Sequence, residues 1–215
     1  MLLYYITDRS QFPGDERQRR EQLLNAVGEA ARNGIDYIQL RERDLSSRQL
    51  EQLSREVVRR IRAWAANTRI LINSRSDVAL AAGAEGVHLR SNDISPEEVR
   101  RIWRQTGEQK DPIIAMSCHK EAEVIAAEKS GADFVVFGPV FGKQGMPTNQ
   151  AGLDQLRSVC RPAIPVLALG GVTPANAHSC VEAGAQGVAG IRLFQENEIE
   201  AVVKRLRGGG RDWEL

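Results

Sequence analysis

Short apolar runs alternate along this chain with longer stretches in which apolar and charged positions recur on a helical spacing. The runs predict strands near 2–6, 35–40, 69–73, 86–89, 113–117, 133–137, 165–169 and 186–190. The amphipathic stretches predict helices near 17–32, 46–65, 75–82, 95–105, 120–130, 152–159, 174–183 and 197–207. In 46–65, Arg and Glu take one side and Leu, Val and Ile the other, as a helix lying on a sheet requires. Ser46 and Ser95 are placed to cap helices, and Pro96 and Pro174 to occupy first helical positions.

One phrase recurs where helix passes into strand. Gly34-Ile35-Asp36-Tyr37-Ile38, Gly83-Ala84-Glu85-Gly86-Val87, Gly131-Ala132-Asp133-Phe134-Val135 and Gly184-Ala185-Gln186-Gly187-Val188 each read as a glycine cap, a joint and an apolar strand. The glycines at 34, 83, 131 and 184 stand 49, 48 and 53 residues apart. Two βα units of about 25 residues fill each step. Four steps then make eight strands and eight helices, an α/β protein of the (β/α)8 TIM-barrel class with a closed parallel sheet. The expected organisation is one barrel domain over 1–207 and a flexible C-terminal tail over 208–215. Such a barrel gathers its chemistry at the C-terminal ends of its strands.

A formal net charge of +1 argues against nucleic acid or an acidic membrane surface as a general partner, while 29 basic residues leave room for a local anion site. Cys118, Cys160 and Cys180 have no metal-ligand spacing and cannot all pair, which reads as reduced thiols in a cytoplasmic protein. The apolar start, Leu2 to Ile6, lacks the basic flank of a signal peptide and reads as a first strand. No apolar run reaches membrane-spanning length.

Strand alternation sorts the candidates. Gln39 and Arg41 share the face that points into the barrel mouth, where an anionic or heteroaromatic ligand suits them better than core packing; a rim salt bridge is the plainer use. Asn73 can bind a ligand or cap a helix, and Asp93 can bind a metal or cap a helix. His88, a lone strand histidine, reads as an interior residue. Ser117 and His119 face the mouth and Cys118 faces outward, so His119 is placed for proton transfer, with helix capping as the alternative. The stretch 142–151 is a long βα loop and a candidate lid. Gly170 and Gly171 after strand seven, and Gly190 and Ile191 after strand eight, let backbone N–H groups approach a phosphate, with Arg192 as added charge.

These residues resemble a known family. Tyr5-Ile6-Thr7-Asp8, Gln39-Leu40-Arg41-Glu42-Arg43-Asp44, Leu71-Ile72-Asn73, Gly86-Val87-His88-Leu89, Gly138-Pro139-Val140-Phe141 and Leu169-Gly170-Gly171-Val172 look like the thiamine phosphate synthase / TenI family, in order and over nearly the whole chain. The resemblance implies one of two activities. The synthase branch joins a hydroxymethylpyrimidine pyrophosphate to a thiazole phosphate with Mg2+. The TenI branch aromatises a carboxythiazole phosphate without metal or cofactor.

The departures from the family pattern favour TenI. Ser74 stands where the synthase pattern has a metal-binding Asp, leaving Asp93 alone, and 142–145 lacks the threonine-lysine motif that grips pyrophosphate. Arg43 replaces a lysine, Arg90-Ser91 replaces Gly-Gln, and Ile191-Arg192 replaces Val-Ser. His119 matches the tautomerase histidine. The expectation is therefore a thiazole tautomerase-like isomerase of thiamine biosynthesis, with His119 catalytic and Gln39, Arg41, Asn73 and Ser117 holding the substrate. Gly170, Gly171, Gly190, Ile191 and Arg192 would hold its phosphate. The expected partner is a small-molecule thiazole phosphate; a homo-oligomer stays open. No metal or other cofactor is expected, unless the alternative holds: a synthase using Mg2+ at Asp93. A third reading is a non-catalytic sensor of thiazole or thiamine phosphates.

Overall fold

A computed structural model describes residues 1–64, 67–108, 110–142 and 150–208. The eight apolar runs form eight strands: β1 (Leu2–Ile6), β2 (Tyr37–Leu40), β3 (Arg69–Asn73), β4 (Gly86–Leu89), β5 (Ile113–Cys118), β6 (Phe134–Phe137), β7 (Val166–Ala168) and β8 (Gly187–Gly190). All are parallel, neighbours follow sequence order, and β8 pairs with β1 to close the barrel. Between them lie α1 (Glu16–Arg32), α2 (Ser47–Ala63), α3 (Ser76–Ala82), α4 (Pro96–Gln105), α5 (Glu121–Lys129), α6 (Gln150–Val159) and α7 (Ala177–Glu182). After β8 the chain makes a short α8 (Arg192–Gln195) and then α9 (Ile199–Arg207).

Alternation along each strand builds two apolar layers. Tyr4, Ile6, Leu71, Ala115, Phe134, Val136, Leu167 and Ala189 fill the barrel. Outward residues such as Tyr5, Ile38, Leu40 and Ile72 pack under the helices. On α2 the buried face is Leu50, Leu53, Val57, Val58 and Ile61, a helical stripe with the arginines left outside. Inside, the Tyr37 and Phe134 rings meet at 4.8 Å and Tyr4 meets Phe134 edge-on at 5.6 Å, plugging the N-terminal half and leaving polar side chains to the C-terminal mouth.

Ser46 and Ser95 cap α2 and α4, and Pro96 opens α4, as the sequence predicts. Pro174 does not open α7, which starts at Ala177. Thr173 and Asn176 instead bond reciprocally, Thr173 N to Asn176 Oδ1 at 2.8 Å and Asn176 N to Thr173 Oγ1 at 3.3 Å, and this turn delays the helix. The sequence reading also missed α8, too short to show a period. The candidate lid falls mostly on 143–149, and the expected tail on 209–215; both lie outside the described residues. Among the described residues no helix is long and apolar enough to cross a membrane.

Candidate active site

The ends of β2, β3, β4 and β5 surround a cavity of about 660 Å³. Gln39, Arg41, Asn73, Ser117 and His119 all line it, together with Ser74, His88 and Arg90. Gln39 is 2% exposed, and its Nε2 donates to Asn73 Oδ1 at 2.8 Å, which orients both amides. Arg41 is half-buried, and among the described residues no carboxylate lies within ion-pair distance of its guanidinium. Burial, and then the charge of Arg43, lowers the Arg41 pKa, while Asp8 and Glu42 oppose the shift. An arginine so far above the titration range stays charged, and an incompletely compensated cation in a cavity attracts anions. Among the described residues the rim salt bridge weighed for Arg41 is not made.

What holds Arg41 in place was not legible beforehand. Glu42, on the opposite face of the chain, is buried and accepts hydrogen bonds from Thr7 Oγ1 at 2.6 Å and from Arg9 Nη1 at 3.0 Å. Thr7 Oγ1 in turn accepts from the Arg41 amide at 3.0 Å. Arg9 is 4% exposed and also bonds Asp44 at 2.7 and 2.8 Å. Removing one partner of such a buried pair costs roughly 3–5 kcal/mol, because the other charge is stranded. Alternation indicates that Glu42 turns away from the mouth, but not that Arg9 waits there.

His88 is interior, as expected, but it is not inert packing. Its Nδ1 lies 2.9 Å from the Tyr4 hydroxyl and its Nε2 2.7 Å from Ser117 Oγ. Burial, and then the positive charge of Arg41, pushes its pKa down to about 3, with Asp93 opposing. His119 is exposed at the rim, and its Nδ1 donates to the Gly138 carbonyl, so Nε2 is the bare nitrogen of the neutral ring. Neither Ser117 nor His119 caps α5, whose N-cap is Lys120 without a side-chain bond, which removes the capping alternative.

Ser74 has φ 59°, the one non-glycine residue with positive φ among those described. The left-handed turn sends its N–H to the His88 carbonyl at 2.9 Å and its hydroxyl to Asp93 Oδ2 at 2.6 Å. Asp93 also accepts from the Arg90 amide at 2.8 Å and the Arg90 guanidinium at 3.0 Å, so it braces its own loop and leaves the capping of α4 to Ser95. Burial alone would raise the Asp93 carboxyl, but the bonds from Arg90 and Ser74 outweigh it and hold the pKa below the usual carboxylate range. Among the described residues no group of three or more His, Cys, Asp or Glu side chains could hold a metal.

A second cavity, of about 800 Å³, lies at the ends of β7 and β8. Gly170, Gly171, Gly190, Ile191 and Arg192 line it, and it shares Leu169 and Ile191 with the first. Gly170 and Gly171 have φ 95° and 67°, and a Cβ on Gly171 would stand 2.6 Å from the Gly142 carbonyl oxygen. Only glycine fits this turn, which therefore lines the cavity with backbone rather than side chains.

The family's sequence model, described as thiamine monophosphate synthase, matches residues 3–194. This chain belongs to the thiamine monophosphate synthase family. A Geobacter sulfurreducens relative, provisionally named a thiamine-phosphate synthase, is 41% identical over 190 residues, covering 87% of this chain and 83% of its own. The thiamine-phosphate synthase of Caldanaerobacter subterraneus is 36% identical over 205 residues, covering 94% and 90%. The solved structure of thiamine phosphate pyrophosphorylase from Pyrococcus furiosus superposes with a TM-score of 0.78 at 30% identity, covering 96% of this chain and 94% of that one. None of these three is named a tautomerase. Within the family, the expected isomerase is thus the less supported branch.

Proposed function

We propose that this protein is a condensing transferase of the thiamine-phosphate synthase type, joining a pyrimidine carried on a diphosphate to a thiazole phosphate. The observation that carries this reading is the pair of adjoining cavities, each with its own provision for an anion. A carboxythiazole phosphate would also reach both cavities with its carboxylate and its phosphate, and the synthase names of the relatives favour the condensing enzyme, which must hold two substrates side by side. Arg41, with Arg43 and Arg90 at the rim, takes the diphosphate. The N–H groups of the Gly170–Gly171 and Gly190–Ile191 turns, with Arg192 beside them, take the thiazole phosphate. Gln39 and Asn73, locked to each other, fix the ring between.

The family brings Mg2+ with it, and the donor set here fits a lean version of that site. Asp93 supplies one carboxylate, with the Ser74 hydroxyl 2.6 Å away and the Asn73 amide next to it. Mg2+ is commonly held by one or two carboxylates plus waters and substrate phosphates, so this set suits an ion that arrives on the diphosphate. When bound, the ion would neutralise charge on the departing diphosphate. The side chains do the rest: Arg41 adds fixed positive charge in the cavity, and the two glycine turns hold the acceptor still.

A second reading keeps the isomerase, favoured by Ser74 in place of a carboxylate and by the bare Nε2 of His119 at the mouth. One assay separates the two. Supplied with the pyrimidine diphosphate, the thiazole phosphate and Mg2+, the protein should release diphosphate and form thiamine phosphate, and a chelator should stop it. Failure of that reaction, with metal-free aromatisation of the carboxythiazole phosphate that disappears in His119→Ala, would replace the transferase by the isomerase.

A further inference from the structure

Tyr4, His88 and Ser117 form a hydrogen-bonded row from the barrel interior to the Arg41 cavity. Tyr4 Oη lies 2.9 Å from His88 Nδ1, and His88 Nε2 lies 2.7 Å from Ser117 Oγ. Tyr4 is fully buried, His88 is 2% exposed, and Ser117 lines the cavity. The distances alone allow the protons to run either way along the row.

Burial removes one direction. Among the described residues, His88 Nδ1 is the one hydrogen-bond partner of the Tyr4 hydroxyl. Burial, and then Tyr37, raises the Tyr4 pKa well above its ordinary value, so the phenol keeps its proton and must place it. Were the imidazole proton on Nδ1, Tyr4 could only accept, and its own O–H would have no acceptor among the packed rings of Tyr37 and Phe134. A buried donor left without a partner disfavours that arrangement by roughly tenfold to a hundredfold. With Nδ1 bare, Tyr4 donates to it, Nε2 carries the proton and donates to Ser117 Oγ, and nothing in the row is orphaned. Burial also keeps the ring neutral near pH 7.

We propose that Tyr4 holds His88 in its Nε2–H tautomer and thereby frees the Ser117 hydroxyl proton for donation to whatever occupies the Arg41 cavity. Ser117 is the contact; Tyr4 and His88 are positioning residues that act through it. The ligand atom opposite Ser117 is then an acceptor, a phosphate oxygen or an unprotonated ring nitrogen. An N–H or ammonium at that point would meet only the remaining lone pair of Ser117 and leave the hydroxyl proton without its acceptor. The proton arrangement does not depend on which reaction the protein catalyses; its kinetic consequence rests on the transferase reading.

Nitrogen NMR of the imidazole-labelled protein tests the arrangement directly, without substrate. The expected spectrum has His88 with a protonated Nε2 and a bare Nδ1; a protonated Nδ1 overturns the proposal whatever the protein catalyses. The second arm compares His88→Gln, His88→Met and Ser117→Ala, with folding checked by thermal denaturation. Gln carries an acceptor and a donor that can reproduce the polarity of the Nε2–H ring, whereas Met fills similar volume with neither. His88→Met and Ser117→Ala should each lower kcat/KM for condensation by about tenfold or more, while His88→Gln stays within about threefold of wild type. Wild-type kcat/KM in folded His88→Met, or equal losses in the Gln and Met variants, overturns the proposal. If the wild type shows no condensation, the transferase reading fails, and the spectrum together with the Kd for inorganic diphosphate in the same variants decides the relay.

Discussion

The Ser74 hydroxyl donates to Asp93 Oδ2 across 2.6 Å, tying the end of β3 to the loop after β4. Ser74 reaches that carboxylate because its backbone is left-handed, a conformation that Asn and Asp tolerate better than most residues. Ser74→Asp should therefore fold, with two carboxylates facing each other. Without metal their repulsion should lower Tm, at about 2–4 °C per kcal/mol for a chain of this size. Mg2+ should restore it. Calorimetry with and without Mg2+ checks this, and a Tm in the variant that ignores Mg2+ would remove Asp93 from any metal site.

Arg41→Met should cut kcat/KM roughly a hundredfold, the worth of about 3 kcal/mol for a charge-assisted contact made in the transition state. It should not lower Tm, because Arg41 has no carboxylate partner among the described residues and carries a desolvation cost that Met does not. Steady-state kinetics beside thermal denaturation test the pair of outcomes. A large fall in Tm would mean that Arg41 holds the barrel together rather than the ligand.

Gly171→Ala should weaken inorganic phosphate binding about tenfold, the loss of roughly 1–2 kcal/mol of anion contacts. The new Cβ would stand 2.6 Å from the Gly142 oxygen at φ 67°, so the turn must move. Titration calorimetry with phosphate gives the answer; unchanged affinity would place the phosphate elsewhere.

His119→Ala distinguishes the two branches of the family. Under the transferase reading, condensation should fall less than about tenfold, since His119 is exposed at the rim and no proton transfer is assigned to it. Under the isomerase reading, aromatisation should fall by about 10²–10⁴-fold. Neither reading predicts a change in phosphate affinity.

Acid should destabilise the fold through His88. Its pKa is about 3 in the folded protein, while an unfolded histidine titrates near 6.5. Between those values the unfolded chain binds a proton that the folded one does not, so stability rises with pH there. It is lost on acidification from about pH 6.5 downward, at up to about 1.4 kcal/mol per pH unit. Urea denaturation from pH 7 to 4 should show this slope for wild type, and a shallower one for His88→Gln, which has nothing to titrate.

The fold was legible because barrel assembly writes itself locally. Each strand is an apolar run and each helix an amphipathic one, and the glycine joints at 34, 83, 131 and 184 all adopt positive φ. Alternation along the strands brought Gln39, Arg41, Asn73, Ser117 and His119 to one cavity. The choice between branches was less legible. Ser74 looked like the loss of a metal ligand, and the structure returns it as a partner of the remaining carboxylate. Pro174 pointed to a helix start three residues early, because the Thr173–Asn176 turn is side-chain chemistry that no hydrophobic period reports.

By itself the sequence determined the eightfold βα order, the face on which each strand residue lies, and the glycines that end β7 and β8. Those are properties of short segments, set by backbone period and by which residues tolerate left-handed φ. Only the tertiary structure decided the partners: Tyr4 with His88, 84 residues apart; Arg9 with Glu42, 33 apart; and Ser74 with Asp93, 19 apart. Such pairs depend on barrel register, which sets which inward side chains stand level with one another. Register is a property of the closed sheet, and no segment carries it alone.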